Sequence, residues 1–182
     1  GSQYSGRILS FNKMLGQLQE AGNTTTLSHY LNLLDTAGLI AGLPKFYKNR
    51  PVHQKSSSPK LQVYNTALMT AQSLKSPEAI LSDPSLWGRW VESAIGSYLL
   101  NEAWKSDFRI RYWREGSKEV DFILQYGDIT IALEVKSGFN SNKSGLDTFK
   151  QKFNPDKVYL IGKDGIPWEE FLGMPVEALF DA

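Results

Sequence analysis

Residues 118–136 read KEVDFILQYGDITIALEVK, and within them two carboxylates and an amine stand at a spacing that can do chemistry. Two alternating runs flank Gly127-Asp128, and glycine at the first central position suits a type II′ two-residue turn. That turn places Asp121 opposite Glu134 and Glu119 opposite Lys136. Carboxylates so opposed have Cβ atoms ~4.5–5.5 Å apart, and like charges there destabilise unless a cation or a shared proton compensates. A divalent ion is one solution, because hard oxygen ligands at this spacing suit Mg²⁺ or Mn²⁺. Lys136 is a weaker, internal counter-ion. The plain alternative is a Glu119–Lys136 cross-strand pair on a wet face, with Asp121 and Glu134 merely solvated.

The elements around the hairpin must hold these groups. Alternation puts Val120, Phe122, Leu124, Ile131, Leu133 and Val135 on an apolar face, and Glu119, Asp121, Ile123, Gln125, Thr130, Ala132, Glu134 and Lys136 on the other. A helix expected over about 84–104 carries the apolar stripe Leu86, Trp87, Trp90, Val91, Ala94, Ile95, Tyr98 and Leu99, with Glu92 at its edge. Gly88 and Gly96 flank Glu92 on the same ridge and would let the helix approach the sheet closely, carrying a third carboxylate toward the pair. A rim glutamate facing water, or a partner for Arg89, is the alternative. Further strands are expected over 108–114, 118–126, 129–137 and 157–162, a helix over 143–153, and a short strand over 174–180.

Upstream, Ser5 can cap a helix carrying Ile8, Leu9, Leu15 and Leu18. Thr24-Thr25-Thr26 opens a second helix with apolar Leu27, Tyr30, Leu31 and Leu34, closed at Gly38. Extended runs at Leu39-Ile40 and Leu61–Tyr64 follow. Helices and then a two-stranded ribbon form the outline of a winged helix. From Ala41 to Val63 the ribbon's loop has five basic residues, Lys45, Lys48, Arg50, Lys55 and Lys60, and no acidic one. Such a stretch can neutralise phosphates, or it can be an ordinary solvated loop. Residues 76–84 read as a connector, so the division is a cloning scar at 1–2, a winged-helix-like domain over 3–75 and a second domain over 76–182.

The chain has 182 residues, with a net charge of +1, so a nucleic-acid signal must come from local clustering. With no cysteine, disulfides, thiolate zinc sites and cysteine nucleophiles are excluded; two histidines, His29 and His53, leave little room for histidine-based metal sites or a Ser-His-Asp triad. No apolar run approaches the roughly 20 residues that span a bilayer. A piece of a longer cytoplasmic protein is the expectation.

Glu92 on a helix, then Asp121, then Glu134-Val135-Lys136 on the following strand, resembles the PD-(D/E)XK nuclease superfamily. In detail the chain resembles the C-terminal region of prokaryotic AAA-type ATPases with an EVDF…EVKSG signature, through Glu119–Phe122, Glu134–Gly138, Leu33–Ile40, Pro59–Leu61 and Gly88–Glu92. It departs from that pattern at Asn65, where an aspartate is expected, and it has no GxxxxGK[ST], so ATP would enter only through a module outside this chain. The resemblance implies an α/β protein: a winged-helix-like part followed by a restriction-endonuclease-like mixed sheet flanked by helices. It further implies Mg²⁺- or Mn²⁺-dependent phosphodiester hydrolysis of DNA, with Asp121, Glu134 and the Val135 carbonyl as metal ligands. Glu92, Asp121, Glu134 and Lys136 would be the catalytic set, and an N-terminal ATPase module the partner. A non-catalytic DNA-binding or regulatory module that keeps the nuclease fold, and a protein-interaction domain, are the competing functions.

Overall fold

Short polar side chains start three of the helices. Asn23 accepts from the Thr26 amide at the head of α1 (Thr24–Thr36), and Ser76 and Asp83 do the same for α3 (Pro77–Leu81) and α4 (Pro84–Ala103), each with proline in its first turn. The computed structural model describes residues 5–10, 23–48, 58–136 and 144–181. Its other elements are β1 (Ile40–Leu43), β2 (Lys60–Val63), α2 (Ala67–Ala71), β3 (Arg109–Glu115), β4 (Lys118–Tyr126), β5 (Ile129–Lys136), α5 (Ser144–Phe153), β6 (Lys157–Gly162), α6 (Trp168–Gly173) and a 3₁₀ turn, Val176–Leu179. The protein is a mixed α/β structure with two sheets: an antiparallel β1–β2 ribbon and a four-stranded sheet in the order β3-β4-β5-β6.

In the larger sheet β3, β4 and β5 form an antiparallel meander, and β6 returns parallel to β5 after α5 crosses over. The β4–β5 turn has Gly127 at φ +55°, and the register runs from Tyr126↔Ile129 to Phe122↔Leu133, as glycine at the first central position predicts. Both faces are covered. Val91, Ile95 and Leu99 of α4 pack with Phe171 and Leu179 on Phe122, Leu124, Ile131 and Leu133. Leu146 and Phe149 of α5 close the opposite face with Trp113, Ile123, Ala132 and Phe46. The expected polar face of the hairpin is therefore a second core.

Val120 belongs to that second core, not to the face of Phe122 and Leu124 where alternation put it. A β-bulge is the reason. Arg111 pairs with Ile123 but Trp113 pairs with Val120, so Tyr112 alone faces both Asp121 and Phe122. The extra residue reverses every side chain before it and re-aims Asp121.

Three other expectations are corrected. Residues 6–9 run extended along β2, through Gly6 N–H to Leu61 O at 2.8 Å and Leu9 N–H to Pro59 O at 2.7 Å, rather than forming a helix capped by Ser5. The rest of that expected helix lies outside the described residues. The connector contains α3, which buries Ile80. Residues 176–179 form a 3₁₀ turn rather than a strand, because Val176 and Leu179, three apart, both bury against the core. No described helix is long and apolar enough to cross a membrane.

Candidate functional site

The bulge points Asp121 at a side chain from the upstream ribbon. Lys60, the first residue of β2, has an ammonium that is completely buried and lies 2.7 Å from Glu92 Oε1, 3.0 Å from Glu119 Oε1 and 3.2 Å from Asp121 Oδ1. Three carboxylates drawn from α4 and β4 thus surround one ammonium, which donates a hydrogen bond to Asp121. The Phe122 ring lies beneath, its centroid 5.4 Å from Nζ. The other oxygen of Asp121 accepts from the Val135 amide at 2.9 Å, where the hairpin ladder would next have paired Val120 with Val135.

Glu134 and Lys136 form a neighbouring pair, Nζ to Oε1 2.7 Å, and Glu134 is only 3 % exposed. Lys136 therefore pairs with Glu134, whereas the turn arithmetic had set it against Glu119; Glu119 is held by Lys60 and, at 4.0 Å, by Arg114. Glu134 Oε2 is buried with no hydrogen-bond partner among the described residues.

Burial and charge compete throughout this cluster. Burial would depress the Lys60 ammonium, but Glu92, Asp121 and Glu119 outweigh it and hold its pKa above the ordinary lysine value. Burial, with the negative charge of Asp121 and Glu119, pushes Glu92 up to about 7 against the pull of Lys60. Glu134 is raised by burial as well, and Lys136 is raised because Glu134, Asp121 and Glu92 outweigh its own desolvation.

The four expected catalytic groups, Glu92, Asp121, Glu134 and Lys136, do come to one end of the sheet. The metal set of Asp121, Glu134 and the Val135 carbonyl does not fit a divalent ion in this arrangement. Both Asp121 oxygens are engaged, and the point where three carboxylates converge is filled by Nζ. Among the described residues, no set of three or more acidic or histidine side chains is arranged to hold a metal ion.

Of the five basic residues expected to face phosphate, Lys60 is corrected outright: it is interior. Lys45 lies 5.5 Å over the Tyr47 ring, and Lys48 donates to Phe153 O at 3.1 Å from an exposed position. Arg50 and Lys55 fall outside the described residues. Lys45 and Tyr47 line a cavity of about 410 Å³ with Ile8, Ser58, Tyr112 and Arg114, the last reaching Glu119.

Lys60 is what sequence reasoning missed. It was counted with a basic run, although Leu61 and Val63 alternate with Lys60 and Gln62 in a strand buried on both faces. Gly88 and Gly96 were expected to admit the sheet. A Cβ on Gly96 would instead lie 2.2 Å from Gln62 Oε1, so this glycine admits β2.

This geometry falls across two family models. Residues 87–172 match DUF4143, a domain of unknown function. DUF4143 is found in the C-terminal regions associated with AAA-type ATPases. Residues 2–79 match a second domain of unknown function, DUF8612. No curated protein and no solved structure gives a match. The DUF4143 match carries Glu92, Glu119, Asp121, Glu134 and Lys136, while Lys60 lies in the DUF8612 match.

Proposed function

We propose that this chain is a DNA-binding regulatory module of an AAA-type ATPase, built on a winged-helix-like ribbon and a nuclease-like sheet whose acidic site is closed by Lys60. The observation that carries this reading is the Lys60 ammonium within 3.2 Å of Glu92, Glu119 and Asp121. An interior lysine there offsets part of the carboxylates' charge without a metal, and hydrolysis is not performed while it stays. Lys45, Lys48 and Arg114 supply phosphate contacts on the ribbon side, where Tyr47 offers a ring beside the cavity. The ATPase association of DUF4143 supports the assignment of partner.

The test is fluorescence titration of labelled duplex DNA at several salt concentrations, with a plasmid-nicking assay alongside. The expected result is salt-sensitive binding whose logarithmic salt slope is shallower by about 0.9 in each of Lys45→Ala and Lys48→Ala, one phosphate partner being removed in each, with no cleavage in Mg²⁺ or Mn²⁺. Metal-dependent nicking that disappears in folded Asp121→Ala overturns the closed-site reading. Absence of binding at low salt overturns the DNA assignment.

A metal-dependent deoxyribonuclease is the second reading. Glu134 favours it: a buried carboxylate oxygen without a hydrogen-bond partner among the described residues, beside Lys136, is the kind of open valence that a metal or substrate fills.

A further inference from the structure

We propose that the cavity walled by residues 6–9, the turn after α2, α3 and the start of α4 is a nucleotide site, in which Arg7, Lys75 and Arg89 hold phosphate and Trp90 receives the base. Its lining shares no residue with the acidic cluster or with the ribbon cavity, and it rests on neither reading above.

The cavity measures about 390 Å³, within the range of roughly 300–1,000 Å³ in which small ligands are held. Its floor is apolar. Leu86 and Trp90, four apart on α4, share one helix face and line it with Met69 and Ile80. Met69 and Ile80 are buried, and Trp90 packs against the cluster of Met69, Leu61 and Val63, so the floor is part of the core and stands ready-made. Leu74, fully exposed where a ligand would enter, adds further apolar surface.

The rim is cationic. Arg7, Lys75 and Arg89 line it, and among the described residues no acidic side chain does. In a chain of 20 basic and 19 acidic residues this is a local separation of charge. Arg7 and Arg89 also repel one another: burial and then the Arg7 charge lower the Arg89 guanidinium, with Glu92 acting the other way from its 2.7 Å contact with Lys60. An anion at this rim offsets that repulsion, and the forked donors of arginine fit phosphate oxygens in pairs.

Phosphate alone would leave the floor unused, and a neutral apolar ligand would leave the cations unanswered. A nucleotide uses both, with its phosphate at the guanidiniums and its flat base against the indole of Trp90. Gln72 and Ser73 line the same wall and add polar groups for the ribose. Arg7, Met69 and Lys75 lie in the DUF8612 match and Arg89 and Trp90 in the DUF4143 match, so the cavity sits at a boundary of the kind where ligand sites collect.

Calorimetric titration with AMP, without DNA or metal, tests this on the full chain. One AMP is expected to bind, with adenosine and inorganic phosphate each about tenfold weaker or more. Arg7→Gln, at an exposed position, and Arg89→Gln are each expected to weaken AMP about tenfold or more, with the fold checked by far-UV circular dichroism. Lys150→Gln, which removes the same charge from the exposed face of α5, is expected to leave AMP affinity within about twofold of the wild type. Trp90→Leu is expected to weaken AMP while leaving inorganic phosphate unchanged. The inference is overturned by absence of saturable AMP binding, or by folded Arg7→Gln and Arg89→Gln proteins that bind AMP as the wild type does. Phosphate or adenosine binding as tightly as AMP overturns the nucleotide assignment, and so does the acidic peptide acetyl-Asp-Leu-Asp-amide binding more tightly than AMP. None of these readouts uses DNA, so failure of the DNA assignment is seen separately.

Discussion

Replacing Glu92 by glutamine separates the effect of burial from that of charge in the cluster. In the folded protein Glu92 is raised from 4.5 to about 7, with burial as the largest cause. A carboxyl raised on folding stabilises the native state fully below its unfolded pKa, and that contribution is lost as pH rises through the folded value. Between pH 4 and pH 8 the unfolded chain ionises first, and the linkage for this shift is worth about 3 kcal/mol. Glutamine cannot ionise, and its amide oxygen still accepts from Lys60. Urea unfolding of both proteins across this range should therefore show the stability difference moving in favour of Glu92→Gln by about 3 kcal/mol as pH rises. The midpoint of the change should lie between the two pKa values. A difference flat to within about 0.5 kcal/mol, or one moving in favour of the wild type, refutes the reasoning. A flat difference would mean that Lys60 balances burial, and a change in favour of the wild type that Lys60 outweighs it.

Three other outcomes are expected from the packing. Gly96→Ala should lower stability by about 1–2 kcal/mol in thermal melts despite alanine's better helix propensity, because the new methyl displaces Gln62 from its bonds to Val63 O and Ser93 O. Phe149→Ala, which empties the α5-side core between Phe46, Trp113 and Phe153, should cost about 3–5 kcal/mol by denaturant unfolding. Lys152→Ala breaks an exposed 2.6 Å pair with Glu115 and should change stability by no more than about 0.5 kcal/mol.

The hairpin shows how far the sequence can be read. Glycine at position 127 determined the turn, and the turn determined the register as far as Phe122↔Leu133. The register was legible because it depends on one local backbone choice. The bulge was not: it arises because β3 supplies only Tyr112 against Asp121 and Phe122, and nothing inside β4 records how many residues its neighbour supplies. The run Phe122-Ile123-Leu124 is buried throughout, so both sides of β4 are core, which strict alternation does not register. That Glu92, Asp121, Glu134 and Lys136 lie toward one end of the sheet was legible because each sits on a long element, α4, β4 or β5. Lys60 was not, because its meaning lies in contacts with residues 32 to 61 positions away, and local composition grouped it with solvated lysines instead.

Lys60 reaches across the division between the two matched segments, and this constrains how the chain can be inherited. A recombination that joined residues 84–181 to a different upstream partner would bring Glu92, Glu119 and Asp121 without the amine that pairs with them. Such a hybrid would begin life carrying an unbalanced electrostatic debt, and survive only if the newcomer supplied its own cation or the acids were replaced. The two halves are thus held to travel together through evolution by a charge balance that neither carries alone.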